Sequence, residues 1–142
     1  MPAVSFGQLT QDKIVIFDLK KEINPAATRI TQKAVRRANE EKASLILVHM
    51  NTYGGYVTDA DSIRTTLLNS EIPVYVFIDN NAASAGALIS LACDKIYMRK
   101  GASIGATTVV TEDGAKAPDK YQSYMRKQMR STAESQGYDT LI

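Results

Sequence analysis

Short apolar runs alternate with helical patterns along this chain, and the alternation limits the folds open to it. Runs that are hydrophobic almost throughout are typical of strands covered on both faces, as in parallel sheets. Helices between consecutive strands supply the crossovers that parallel strands need. The sequence therefore predicts an α/β fold with a largely parallel sheet flanked by helices. The predicted strands are 13–19, 44–50, 74–78 and 95–98.

Helix signals fill the gaps between these strands. Asn24 and Pro25 form a start signal, because asparagine is a favoured N-cap and proline suits the first helical position. Between 101 and 118 turn residues dominate, and Asp113-Gly114 predicts a projecting hairpin. The predicted helices run from 25 to about 42, through Ile63 and Leu68 to a point before Pro73, from 84 to about 92, and onwards from near Pro118.

Composition and charge argue against several classes of protein. The 17 basic and 15 acidic residues leave a net charge of +2, which gives no reason to expect nucleic acid as a partner. The one cysteine, Cys93, cannot form an internal disulfide framework. No stretch approaches the roughly 20 apolar residues of a spanning helix. We expect one soluble domain over residues 1–142, excised from a longer protein.

Two loops that contain glycine or other small residues follow predicted strands. Gly54 and Gly55 come after strand 44–50, and Ser84 comes after strand 74–78. Ligands bind at the carboxyl ends of parallel strands, so we expect the two loops to face each other. Backbone N–H groups of the glycine loop and of Ala85 would then stabilise an oxyanion formed when Ser84 attacks a carbonyl carbon.

Both loops also have a plain structural interpretation. Serine is a favoured N-cap, in which its hydroxyl only accepts a hydrogen bond from the first helical turn. A Gly-Gly pair after a strand is often a simple turn. The local pattern alone therefore leaves two roles open for Ser84, nucleophile and N-cap.

Metal and nucleotide motifs are weak in this sequence. Asp59 and Asp61 lie two apart on a predicted helix and point to different sides, so they are poor joint metal ligands. The glycines of 101–106 lack a Walker lysine and the spacing of a dinucleotide loop, and they predict a turn beside the substrate groove. We expect no metal and no cofactor.

Three motifs occur in a fixed order: NTYGGYV at 51–57, AASAGALISLACDKIYM at 82–98 and GASIGA at 101–106. Together they resemble the Clp protease and crotonase superfamily, and within it the membrane-associated NfeD-type serine proteases. The resemblance implies a Clp protease/crotonase-like fold of repeated β-β-α units. It also implies Ser84 as nucleophile and an oxyanion hole formed by Gly54, Gly55 and Ala85. Tyr53 departs from the family's usual proline, which is expected to loosen the loop or reshape the pocket.

A serine nucleophile needs a base. The only histidine, His49, lies on the apolar strand before the glycine loop and is predicted to be a partly buried strand residue. A lysine is the remaining choice, as in Ser-Lys dyads. The resemblance places this lysine after the hairpin in an A-P-x-K context, which APDK at 117–120 matches, giving Lys120. The competitors are Lys95, Lys100, Lys127 and, nearest, Lys116.

A lysine base must be uncharged near neutral pH. The ordinary lysine pKa is about 10.4, and lowering it to near 7 costs about 4 kcal/mol. Only desolvation or a nearby positive charge can supply that energy. We therefore expect apolar neighbours from the last helix and the hairpin to exclude water from Lys120 once they close over the site.

The resemblance implies a serine endopeptidase, and we expect the sheet edge and the hairpin to help bind an extended peptide by strand addition. It also implies a membrane-associated full protein, a homo-oligomer, and hydrophobic segments of stomatin-like proteins as substrates or partners. One alternative is a non-catalytic scaffold that binds peptides or a partner on the same fold. A second is crotonase-type acyl-CoA chemistry, which the short chain and the lack of an acidic pair beside the Gly-Gly loop disfavour.

Overall fold

The structure is a computed structural model that describes residues 12–139. Strands and helices alternate over most of this range, as the sequence predicts. The strands are β1 (Ile14–Leu19), β2 (Leu45–Thr52), β3 (Val74–Ala83), β4 (Lys95–Met98) and β5 (Ser103–Gly105). The helices are α1 (Pro25–Glu40), α2 (Val57–Leu68), α3 (Ala85–Leu91) and α4 (Asp119–Ser135).

The strands form one parallel sheet in the order β1-β2-β3-β4, and β5 pairs with the far end of β3. This confirms the predicted α/β class with a parallel sheet flanked by helices. Strand and helix alternate through α3, and the β-β-α arrangement occurs at β4-β5-α4. The predicted hairpin is present as a single antiparallel bridge between Val110 and Lys116.

Helices α1 and α3 pack against the sheet, and α2 packs against both of these helices. In β2, Ile46, Val48 and Met50 are fully buried, whereas the alternate residues are only half-buried. Strand 44–50 is therefore covered on one face, not on both as predicted, among the residues that the structure describes. Six of the seven residues of helix α3 are buried, because the helix lies between the sheet, α2 and α4.

The start of α1 matches its prediction. The Asn24 side-chain oxygen accepts a hydrogen bond from the Ala27 N–H at 3.0 Å, and Pro25 takes the first helical position. Capping of this kind stabilises a helix by about 1 kcal/mol.

Two predicted turns are strands instead. Residues 80–83 continue β3, and 103–105 form β5, in the register Asn81 with Ser103 and Ala83 with Gly105. The Ser103 hydroxyl also donates to the Asn81 side-chain oxygen at 3.1 Å. These segments are rich in small residues and lack the apolar alternation of a strand, so only their pairing with each other reveals them. The pairing matters for function because β3 and β5 end beside Ser84.

Candidate active site

Ser84 lies at the junction between β3 and α3. Its backbone has φ +53° and ψ −116°, a conformation that costs a residue with a side chain about 1–3 kcal/mol. Its N–H donates to the Gly105 carbonyl at 2.8 Å, so β5 helps to hold the junction in this shape. Backbone strain that the surrounding fold maintains is concentrated at functional sites.

The Ser84 hydroxyl does not cap helix α3. Ser84 occupies the N-cap position of α3, but the side-chain capping bond that the plain interpretation requires is absent. Instead the side chain faces Gly54: a methyl group added there would lie 2.9 Å from Ser84 Cβ and 3.2 Å from Ser84 Oγ. The two loops meet, as the ends of neighbouring parallel strands predict.

Thr52 and Ile23 hold the glycine loop in place. The Thr52 hydroxyl accepts the Gly54 N–H at 3.1 Å and donates to the Lys21 carbonyl at 2.7 Å. The Gly54 carbonyl in turn accepts the Ile23 N–H at 2.9 Å. Gly54 has φ +120°, which favours glycine, and a methyl group on Gly55 would lie 2.1 Å from the Ile23 carbonyl oxygen. A side chain is therefore excluded at Gly55, and at Gly54 it would be strained and would crowd Ser84.

The predicted oxyanion donors differ in their hydrogen bonds. The N–H of Gly54 is taken by Thr52, so Gly54 contributes close approach to Ser84 and not a free donor. Among residues 12–139, no acceptor pairs with the N–H of Gly55 or of Ala85. Ala85 is the first residue of α3, where the helix dipole favours negative charge. Gly55 and Ala85 are thus the donors that remain available at the meeting of the loops.

The two nearest candidate lysines have different surroundings. Lys120 lies in the first turn of α4, exposed, with its Nζ 5.0 Å from the centre of the Tyr121 ring. Lys116 forms an exposed ion pair with Asp119 at 3.7 Å. The single chain therefore does not provide the dry surroundings that a lysine base needs.

An apolar cleft of about 430 Å³ lies between the start of α2, the hairpin and α4. Its lining includes Val57, two residues after Gly55, and Tyr121, next to Lys120. The cleft thus connects the glycine loop with the turn that carries the lysine. Tyr53 is 82% exposed and lines a second cleft together with Gly54 and Gly55.

His49 is half-buried on β2, as predicted. Its Nδ1 lies 3.3 Å from Asp18 and its Nε2 lies 3.3 Å from Asp79, which also binds Arg99 at 2.7 Å. Both ring nitrogens are engaged by carboxylates, so the imidazole is not a free base for Ser84. No group of three His, Cys, Asp or Glu side chains within residues 12–139 could hold a metal ion.

The parallel sheet and the strained serine facing a Gly-Gly loop define a protein of the ClpP-like protease fold. A variant of ClpP1 from Listeria monocytogenes shares this fold with a TM-score of 0.62 at 20% identity, over 88% of this chain and 74% of that one. The sequence profile described as the NfeD1b N-terminal domain matches residues 13–142. The chain belongs to this family, which confirms the NfeD-type resemblance.

Relatives in this family include membrane proteins. The membrane protein NfeD1b of Bacillus subtilis is 30% identical over 126 residues, which are 89% of this chain and 29% of that protein. The chain spans between 29% and 39% of the length of the curated relatives it matches. Within residues 12–139, no helix is long and apolar enough to cross a membrane.

Solved structures of a protease are similar to this chain. A serine-to-alanine variant of the 1510-N membrane-bound stomatin-specific protease from Pyrococcus horikoshii has a TM-score of 0.85 at 25% identity, over 92% of this chain and 67% of that one. A lysine-to-alanine variant of 1510-N, in complex with a substrate peptide, has a TM-score of 0.82 at 25% identity, over 89% and 61%. The relatives of this chain thus include membrane-bound proteases.

Proposed function

We propose that this chain is the protease domain of a serine endopeptidase, with Ser84 as nucleophile and Lys120 as base. The observation that carries the proposal is the uncapped hydroxyl of a strained serine, held against the Gly-Gly loop. Structures of the similar protease 1510-N include a serine-to-alanine variant and a lysine-to-alanine variant in complex with a substrate peptide. These two variants support the same pair of residue types in this chain.

In the proposed reaction, Ser84 Oγ attacks the carbonyl carbon of a peptide bond while its proton passes to Lys120 Nζ. The oxyanion accepts hydrogen bonds from the N–H groups of Gly55 and Ala85, each worth about 3–4 kcal/mol of transition-state stabilisation in comparable sites. Lys120 then returns the proton to the leaving amine as the C–N bond breaks. Lys120 then takes a proton from a water molecule whose oxygen attacks the acyl carbon, the ester bond to Ser84 Oγ breaks, and Lys120 returns the proton to Oγ.

The proton transfer requires an uncharged lysine, and therefore a dry one. Lys120 is exposed in the single chain. We infer that a bound peptide, together with a neighbouring copy of the chain in a homo-oligomer, covers the first turn of α4 and excludes water there. Lys116 is the weaker candidate for the base, because its amine is already held by Asp119.

The substrate class follows from the cleft beside the glycine loop. Val57, Val109 and Met125 make its lining apolar, which suits hydrophobic segments of a protein. The extended segment would add to the sheet as a further strand. Because 1510-N is named as stomatin-specific and membrane-bound, we propose stomatin-like proteins as substrates or partners and a membrane-associated full protein.

A fluorophosphonate probe tests the proposal, since it reacts only with an activated serine. We expect labelling of the chain, none in Ser84→Ala, and a loss of at least 10-fold in Lys120→Ala, in line with the usual contribution of a general base. Lys116→Ala serves as the matched control and should label as well as the unaltered chain. Absence of labelling in the unaltered, folded oligomer would favour the non-catalytic scaffold.

A further inference from the structure

A buried glutamine in α4, Gln122, joins the hairpin to the helix that carries Lys120. Its Oε1 accepts the Val109 N–H at 3.0 Å, and its Nε2 donates to the Val109 carbonyl at 2.7 Å and to the Ala117 carbonyl at 3.2 Å. The side chain is only 6% exposed. One carboxamide thus pairs with both backbone groups of Val109, as a peptide unit of a neighbouring strand would do.

The two hairpin residues that Gln122 binds are also bound to each other. The Ala117 N–H donates to the Val109 carbonyl at 3.0 Å. Gln122 therefore binds one residue on each side of the hairpin base, Val109 and Ala117. Only Pro118 separates Ala117 from the first turn of α4. Any loosening of this junction moves Lys120, which follows Ala117 by three residues.

The other contacts of this turn are weak. Pro118, at the N-cap position, makes no side-chain cap bond. The Lys116–Asp119 ion pair is exposed on both sides, and such pairs contribute little to stability. Lys120 itself is exposed against the Tyr121 ring. Among residues 12–139, Gln122 is thus the buried polar anchor of the turn.

We propose that Gln122 is a positioning residue for catalysis, which acts through Lys120 by fixing the first turn of α4 against the hairpin. The inference rests on the proposed Ser84–Lys120 chemistry. A displacement of about 1 Å in a reacting group can cost on the order of 100-fold in rate. Loss of the three hydrogen bonds should therefore lower turnover far more than substrate binding.

Two substitutions remove the bonds in different ways. Gln122→Met keeps the length of the side chain but removes its donor and acceptor. Gln122→Glu keeps the shape, but an ionised carboxylate only accepts, so it faces the Val109 and Ala117 carbonyls without a proton to donate. If Gln122→Met does not fold, Gln122→Glu still tests the proposal.

Gln128→Met is the matched control. Gln128 lies on the same helix, is 7% exposed, and donates its amide to Asp61 on α2, but it is about two turns beyond Lys120. Both substitutions remove a buried amide and should lower the thermal stability of the chain. Only a residue that positions Lys120 should also change the chemistry of Ser84.

The experiment measures the rate of fluorophosphonate labelling and the kcat and KM for an apolar peptide, using the complete chain well below its melting temperature. We expect Gln122→Met and Gln122→Glu to lower the labelling rate and kcat about 10- to 100-fold, with KM within about threefold. Gln128→Met should keep both rates within about threefold of the unaltered chain.

The possible failures are distinguishable. If the unaltered chain labels in a Lys120-dependent way but the Gln122 and Gln128 variants behave alike, the positioning role is wrong and the proposed function survives. If the unaltered chain does not label, or if Lys120→Ala labels equally well, the proposed function fails and the role of Gln122 fails with it.

Discussion

Replacement of Gly54 by alanine perturbs the contact between the glycine loop and Ser84. The new methyl carbon would lie 2.9 Å from Ser84 Cβ and 3.2 Å from Ser84 Oγ. Carbon atoms in ordinary contact are at least about 3.5 Å apart, so Ser84 or the loop must move by about 0.6 Å. A displacement of this size in a reacting group should lower the rate about 10- to 30-fold, which is about 1.4–2 kcal/mol in activation free energy.

The control for this substitution is Gly114→Ala at the tip of the hairpin. Gly114 has φ +83°, so alanine there also adopts a strained backbone, at a cost of about 1–2 kcal/mol, but a methyl group would meet no atom within 4 Å. Both variants should unfold at a lower temperature, whereas only Gly54→Ala should lose fluorophosphonate labelling. If folded Gly54→Ala is labelled at the same rate as the unaltered chain, the close approach of the two loops is refuted.

Three further predictions concern the fold. Asn24→Ala removes the bond to the Ala27 N–H and should lower the free energy of unfolding by about 1 kcal/mol in a urea titration; an unchanged midpoint would contradict the cap. Cys93 is fully buried, which raises the pKa of its thiol, so alkylation should be no faster than unfolding, and rapid alkylation of the folded chain would refute this burial. Partial burial raises the pKa of Tyr138 to about 12 from an ordinary value near 10, so the unfolded chain ionises first. The free energy of unfolding should be constant with respect to Tyr138 below pH about 10 and should fall as pH rises from about 10 to about 12. The fall should be smaller in Tyr138→Phe, and an equal fall in both chains would contradict the raised pKa of Tyr138.

Much of the fold could be predicted because the responsible signals are local. The apolar runs predict the strands, and the Asn24-Pro25 start predicts α1. Strand β5 was missed because its residues, Ser103 to Gly105, carry no strand pattern of their own and are ordered by pairing with the end of β3. The uncovered face of the sheet was also missed, since a nearly continuous apolar run does not show which face is covered.

The candidate site also has features that the sequence could predict and features that it could not. The meeting of Ser84 with the glycine loop follows from the topology of parallel strands, which a sequence can indicate. The occupied N–H of Gly54 could not be predicted, because Thr52 has the pattern of an ordinary strand residue. Gln122 also gave no signal, since its partners lie on the hairpin. The exposure of Lys120 depends on what covers α4, which its own sequence does not specify.

The central claim is that an uncharged Lys120 activates Ser84. The pH dependence of the fluorophosphonate labelling rate tests it most directly when the unaltered chain is compared with Lys120→Arg, because arginine stays charged at every accessible pH. We expect a rate that rises with pH to a plateau in the unaltered chain, and a rate in Lys120→Arg that lacks this rise and is at least 10-fold lower at the pH of the plateau. The claim would be contradicted if the pH profile of the labelling rate in Lys120→Arg matched that of the unaltered chain. It would also be contradicted if Lys116→Arg, and not Lys120→Arg, lost the labelling rate.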